Sequence, residues 1–131
     1  MLPKRQSGGF TLAEVVMAIL IAGIALTGLM AAILYGVAAA ESGRSSARAS
    51  IHARVVLEEM RRVADDDPAG MVATDWPGWA AGQGLTGLQD EAITVTYADP
   101  AADPVEATVT VSWTEKERAR SLQWTGLFTR R

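Results

Sequence analysis

Cysteine is absent from this chain of 131 residues, and histidine occurs once. Without cysteine there can be no disulfide and no thiolate metal site, although an oxidising compartment remains compatible with the composition. Basic residues are also few, because 12 lysines and arginines stand against 15 acidic residues and give a net charge of −3. Since nucleic-acid binding proteins present a basic surface, we expect no nucleic-acid partner.

Residues that could carry chemistry are equally scarce. No nucleophile motif surrounds His52, so we expect a polar or half-buried helix residue at this position. The acidic run Asp65, Asp66 and Asp67 lacks the alternating spacing of a calcium-binding loop, which favours a solvated helix end. We therefore expect no enzymatic activity, no cofactor and no metal site.

Charge is missing altogether from residues 15–40, a stretch of 26 positions. As a helix this segment would be about 39 Å long, which exceeds the ~30 Å hydrocarbon core of a bilayer. A single carboxylate, Glu14, stands at its start. An ionisable residue at the edge of a membrane span is costly, so its presence indicates a function that involves a partner.

Three interpretations of the apolar stretch are open. A secretory signal peptide would be cut after Ala40, behind small residues, and would release a soluble periplasmic binding domain. A plain signal anchor would keep the stretch in the membrane. A third type of signal is cut before the apolar run. The stretch is longer than the usual apolar region of about 7 to 15 residues, and Glu14 interrupts its approach, which favours the third interpretation.

The order of residues at the N-terminus resembles the class III signal of type IV pilins and type II secretion pseudopilins. Lys4 and Arg5 are followed by Gly-Phe-Thr-Leu-Ala-Glu at residues 9–14 and then by the apolar run. The resemblance covers roughly residues 4–40. It implies that a membrane aspartyl prepilin peptidase cuts between Gly9 and Phe10 and methylates the new amino group of Phe10. It also makes Glu14 the fifth residue of the mature protein.

A physical argument, which agrees with the resemblance, predicts a role for Glu14 in subunit register and assembly. Cleavage would place a positive amine on an otherwise apolar helix end, where an unpaired charge is costly and a carboxylate can compensate it. We expect Glu14 to lie more than one turn from its own terminus, and therefore to meet the amine of a neighbouring helix.

The apolar run also predicts a packing surface and an orientation. Gly28, Ala32, Gly36 and Ala40 repeat every four residues, which allows close approach of two helices, unless small residues merely abound in this alanine-rich chain. Arginines after the run outnumber Lys4 and Arg5 before it, which taken alone favours the inverted topology. The resemblance instead implies a single pass through the bacterial inner membrane, with the C-terminal domain in the periplasm.

Helical and strand patterns continue beyond the membrane segment. An apolar stripe over residues 49–63, with Leu57 and Ala64 on its flank, predicts an amphipathic helix over 41–66 that continues the membrane segment and ends before Pro68. We expect a loop over 67–91 and three antiparallel strands over 92–130, with turns at 98–104 and 115–120. The predicted fold class is α+β and pilin-like, with a leader at 1–9, a membrane or filament-core helix at 10–40 and a head at 41–131. The stripe that lines the predicted helix comprises Ala49, Ala53, Val56, Met60 and Val63.

The resemblance implies a structural subunit, a minor pilin or pseudopilin, that assembles into a type IV pilus or type II secretion pseudopilus. Its implied partners are the prepilin peptidase, other pilins or pseudopilins through the N-terminal helix, and the inner-membrane assembly platform. Major pilins often have a pair of C-terminal cysteines and a proline in the helix, where this chain has no cysteine and has Ala31. Both differences favour a minor subunit.

Overall fold

The computed structural model describes residues 9–129, and the predicted leader with Lys4 and Arg5 therefore lies outside the described residues, apart from Gly9. The described chain forms an α+β fold of three helices and three strands, and it divides after Ala40 into two compact units. The elements are α1 (Leu12–Asp66), α2 (Pro68–Ala73), α3 (Trp76–Gly82), β1 (Ala92–Tyr97), β2 (Val105–Glu115) and β3 (Arg118–Phe128).

Helix α1 begins where a side chain can cap it and ends where proline prevents its continuation. The backbone N–H of Glu14 donates to Thr11 Oγ1 at 3.3 Å and to the Thr11 carbonyl at 3.0 Å. Thr11 and Glu14 thus have the Thr-x-x-Glu spacing of a capping box, in which the threonine satisfies a free N–H of the first turn. At the other end, Pro68 follows Asp66 by two residues.

The core of the second unit lies between α1 and the sheet. The predicted stripe of α1 is buried from Ala49 to Met60, as expected, while Val63 is half-buried and Ala64, on the flank of the stripe, is buried. Ala64 shares the buried core with Phe128 at the end of β3. The last turn of α1 is therefore oriented by its partner strand as well as by its own periodicity.

The sheet is antiparallel with strand order β1-β2-β3. Ile93, Val111 and Leu122 are aligned across the three strands, as are Val95, Val109 and Trp124. Because side chains alternate along a strand, these rows share one face, and the buried residues of β2 are the odd-numbered ones. Arg54 of α1 lies over the Trp124 ring, 5.5 Å from its centroid.

The segment 67–91, which the sequence predicted to be a loop, contains two short helices. Asp67 caps α2 by accepting from the Gly70 N–H at 2.9 Å, and Asp75 caps α3 by accepting from the Gly78 N–H at 3.2 Å. In each case a proline occupies the first turn, where its missing N–H costs nothing. The glycines and prolines that indicated a loop are thus helix-start signals.

The turn predicted over residues 115–120 is shorter than expected. Glu115 pairs with Arg118, so that only Lys116 and Glu117 form the hairpin turn, both with positive φ, at 48° and 64°. This backbone matches a two-residue turn with the right-handed twist that hairpins require. Of the charged residues predicted to form the turn, Arg118 and Arg120 belong instead to the edge strand β3, where charged side chains reach solvent.

Candidate functional site

The region around Glu14 combines one charge with an exposed apolar surface. Glu14 is the sole charged residue between positions 9 and 40, and it lies in the first turn of α1. Phe10 is 83% exposed. The two residues line one shallow depression of about 430 Å³, together with Val15, Ala18, Ile19 and Ala22. The depression provides an apolar surface with one acidic group at its edge.

This geometry corrects one expectation about Glu14. The sequence argument placed Glu14 more than one turn from Phe10, but the two residues are four positions apart and line the same depression. A separation of four residues corresponds to about one helical turn. The pairing of Glu14 with the amine of a neighbouring subunit stays a prediction.

The sequence analysis did not identify Thr11 as a capping residue. Its signal was present in the spacing Thr11-x-x-Glu14, which is the pattern of a capping box. A carboxylate in the first turn also interacts favourably with the helix dipole. Glu14 thus has a local role at the helix start. This local role is distinct from the predicted role of its charge in assembly.

The first unit presents its apolar side chains outward. From Val15 to Tyr35, the large hydrophobic side chains of α1 are between 45% and 78% exposed. An 18-residue window of α1 has a mean hydropathy of 2.5 and is not buried within the described chain. By length and composition α1 can cross a membrane. An apolar surface of this extent marks a membrane or protein contact, because soluble monomers rarely expose one.

One polar side chain inside this apolar segment, Thr27, is satisfied within the helix. The Thr27 hydroxyl donates to the Ile24 carbonyl at 2.8 Å and lies 3.2 Å from the Gly23 carbonyl. Such back-bonding removes the need for an external partner, which is unavailable in hydrocarbon. The segment therefore meets the requirement for a helix in lipid or in an apolar filament core.

The small residues predicted as a packing surface lie along one side of this segment. Gly28, Ala32, Gly36 and Ala40 are all exposed. A Cβ atom added at Gly28 or Gly36 would meet no atom within 4 Å among those that the structure describes. The structure thus leaves this surface available, and its use as an interface stays a prediction.

We expect Gly36→Leu to weaken subunit association roughly tenfold while membrane insertion is unchanged, because a large side chain prevents close approach of two helix backbones. Gly23→Leu is the matched control, since Gly23 has the same open surroundings and lies about 140° around the helix from Gly36. Crosslinking to partner subunits measures the effect. Equal crosslinking of both variants would contradict the interface.

A second polar cluster lies in the head. His52 Nδ1 of α1 lies 2.5 Å from Glu91 Oε1, and Glu91 Oε2 accepts from the Leu88 N–H at 2.9 Å. The Glu91 side chain is 1% exposed and that of His52 is 14% exposed, which confirms the expected half-buried histidine. The pair attaches the segment before β1 to α1. No sequence pattern identified Glu91, because it is 39 residues from His52.

A third group of hydrogen bonds joins the short helices to the sheet. The Met71 carbonyl accepts from Trp76 Nε1 at 2.9 Å and from the Tyr97 hydroxyl at 3.1 Å. Burial raises the pKa of the Tyr97 phenol, so this group stays protonated and able to donate. These contacts are structural, and Trp76 is buried in the core.

Metal-ligating side chains do not cluster within residues 9–129, where no group of three or more could hold an ion. Of the three aspartates at the end of α1, Asp67 is the cap of α2. This contact gives Asp67 a structural role at a helix start, and all three aspartates are exposed, as the sequence analysis expected.

Comparison with known proteins identifies the N-terminal segment. Residues 4–30 match the family model described as the prokaryotic N-terminal methylation motif. The match includes Gly9, Phe10 and Glu14, and it ends within the apolar part of α1. No curated protein and no solved structure matches the chain.

Proposed function

Because the chain carries the N-terminal methylation motif that is the hallmark of type IV pilin-like and pseudopilin proteins, we propose that it is a minor pilin or pseudopilin. In this proposal a prepilin peptidase cuts after Gly9 and methylates Phe10. The mature subunit is anchored in the inner membrane with its head in the periplasm. The assembly platform then moves it into a type IV pilus or a type II secretion pseudopilus, where it contacts other subunits through α1.

The proposal rests on the overlap of two features, the methylation motif and an exposed apolar helix. The methylation motif at residues 4–30 overlaps a helix whose side chains are apolar and exposed, and whose sole charged residue up to position 40 is Glu14. A signal peptide or an ordinary anchor needs the apolar helix but has no use for a carboxylate at its start. A subunit with a processed, positively charged terminus requires a carboxylate to compensate that charge.

The head supports a structural role rather than a catalytic one. Its buried residues form one apolar core between α1 and the sheet, and the polar contacts around His52 and Met71 attach segments to that core. The minor-subunit assignment rests on the absence of cysteine and on Ala31 in place of a helix proline. The domain limits at residues 9 and 40 are part of the proposal.

Processing provides the test. Coexpression with a prepilin peptidase should yield a chain that begins at Phe10, with 10 basic residues against 15 acidic ones and a net charge that changes from −3 to −5. Gly9→Val should block the cut, because the peptidase must accommodate the residue before the scissile bond. Gly8→Val is the matched control and should be cleaved. Terminal sequencing and intact mass measure both results.

Each alternative predicts a different terminus. A secretory signal peptide would give a chain that starts at Glu41 and a soluble head. A plain signal anchor would stay uncut with or without the peptidase. Either result would overturn the proposed function.

A further inference from the structure

Two buried polar atoms in the described part of the chain have no hydrogen-bond partner, and both belong to the inner face of β2. They are Trp113 Nε1, a donor, and Glu115 Oε1, an acceptor. Trp113 is 5% exposed, and the Glu115 side chain is 13% exposed. Because more than nine in ten buried polar groups in proteins are paired, two such atoms two residues apart are candidates for contact with a bound ligand.

Both side chains line a cleft of about 380 Å³ at one end of the head. Its walls come from the start of the head part of α1, from the segment before β1 and from the end of β2. The other oxygen of Glu115 is already engaged, since Oε2 accepts from Ser42 Oγ at 3.0 Å and lies 3.5 Å from Arg120 Nε. The residues that line the cleft, which we call the hairpin cleft, are Glu41, Ser45, Gly87, Leu88, Gln89, Trp113, Thr114, Glu115 and Lys116.

The chemistry of the two atoms defines the ligand. The indole N–H requires an acceptor, and the carboxylate oxygen requires a donor, preferably a cationic one. The cleft is much larger than the ~30 Å³ that one water occupies in the liquid, so it has room for an organic group. A molecule that carries both an ammonium and an anionic oxygen offers a partner of the required kind to each atom.

The position of the cleft indicates where such a molecule would come from. Glu41 directly follows the last charge-free residue of the apolar run, and Lys116 Nζ at the hairpin tip lies 3.9 Å from Glu41 Oε2. If residues 15–40 cross a bilayer, Glu41 and the hairpin tip lie at the depth of the lipid headgroups. Tryptophan and basic side chains are enriched at that depth.

A second hollow adjoins the first and adds positive charge. It has a volume of about 330 Å³, shares Glu115 and Lys116 with the hairpin cleft, and is otherwise lined by Arg118 and Arg120. Lys116 and Arg120 have side chains that are 63% and 53% exposed. Exposed cations beside a buried donor suit the phosphate of a lipid, which stays partly hydrated at the membrane surface.

We propose that the hairpin cleft binds the headgroup of a phospholipid that has a primary ammonium group. The ammonium donates to Glu115 Oε1, beside Glu41, and a phosphate oxygen accepts from Trp113 Nε1 and Lys116. The lipid thereby holds the head against the membrane before assembly. The inference rests on the membrane placement of α1 in the proposed function, but not on cleavage or assembly.

Crosslinking tests the proposal on the full chain. The protein is placed in nanodiscs of phosphatidylcholine, with or without phosphatidylethanolamine, and is treated with a carbodiimide. This reagent joins a carboxylate to a primary amine as an amide, with loss of the equivalent of one water. Peptide mass mapping then locates the lipid adduct. We expect an adduct at Glu115 with phosphatidylethanolamine and none with phosphatidylcholine, whose quaternary ammonium has no N–H.

The hairpin provides its own control carboxylate. Glu117 is exposed at the turn, two residues from Glu115, and would react first if mere proximity to lipid governed the labelling. We expect Glu115 to be labelled about tenfold more than Glu117, despite its burial, because one charge-assisted hydrogen bond corresponds to about that ratio. Trp113→Phe removes the donor, retains the ring, and should lower labelling of Glu115 by a similar factor.

Several results would overturn the proposal. Labelling of Glu117 equal to that of Glu115 would do so, as would undiminished labelling in Trp113→Phe. Lys116→Gln, an exposed change that leaves the core intact, should also reduce labelling, and an unchanged level would count against the phosphate contact. If free phosphoethanolamine labelled Glu115 to the same extent, the cleft would bind the headgroup without a membrane, and the membrane part of the proposal would be wrong. An adduct to a lysine of another protein subunit would assign the cleft to a protein partner instead.

Discussion

We expect the Glu14→Leu protein to be cleaved and inserted in the membrane but excluded from filaments. The scissile bond after Gly9 and the basic leader are unchanged, and removal of a polar group from the edge of the span favours insertion. Assembly should fail because each subunit then brings the positive amine of Phe10 into an apolar bundle without a carboxylate. Removal of one partner of a buried charge pair costs about 3 to 5 kcal/mol.

Two further variants separate the charge of Glu14 from its place in the capping box. Glu14→Gln retains a residue that suits this position of a capping box but removes the charge, and it should also be excluded from filaments. Thr11→Val removes the capping oxygen, at a cost of about 1 kcal/mol, and retains the carboxylate. It should therefore assemble.

Incorporation into filaments, measured relative to the amount of processed protein in the membrane, is the readout for all three variants. A Glu14→Leu protein that is processed, inserted and incorporated at the normal level would refute the role of this carboxylate. Failure of Thr11→Val together with normal assembly of Glu14→Gln would assign the effect to the helix start.

A large loss of head stability is expected for His52→Ala. The substitution leaves Glu91 Oε1 without its partner, although the Glu91 side chain is 1% exposed. Loss of one hydrogen-bond partner from a buried carboxylate destabilises a fold by about 2 to 3 kcal/mol. For a head of this size the corresponding decrease in melting temperature is about 10 °C or more.

Near-UV circular dichroism of the full chain in detergent measures the effect. All four tryptophans lie at or beyond position 76, so the tryptophan band of the spectrum reports on the head and not on the apolar segment. The double variant His52→Ala/Glu91→Ala should be more stable than the sum of the two single variants predicts, because no unpaired charge remains. Additive losses would show that the two side chains do not stabilise one another.

Local features of the sequence determined the class of this protein. The signal at residues 4–14 and the charge-free run can be identified in the linear sequence without knowledge of the fold. The reason is that a peptidase and a bilayer each recognise a contiguous segment. The core stripe from Ala49 to Met60 and the odd-numbered residues of β2 follow from helix and strand periods, which are also local. For the same reason the α+β fold class was predictable.

The tertiary structure alone decided which distant side chains meet. Glu91 is 39 residues from His52, and Glu115 is 73 residues from Ser42, so strand register and loop packing determine these contacts. The unpartnered donor of Trp113 is likewise a property of burial, which no spacing reveals. The two short helices were misread because aspartate, proline and glycine serve both turns and helix starts, and packing of Met71 and Trp76 in the core selects the helix.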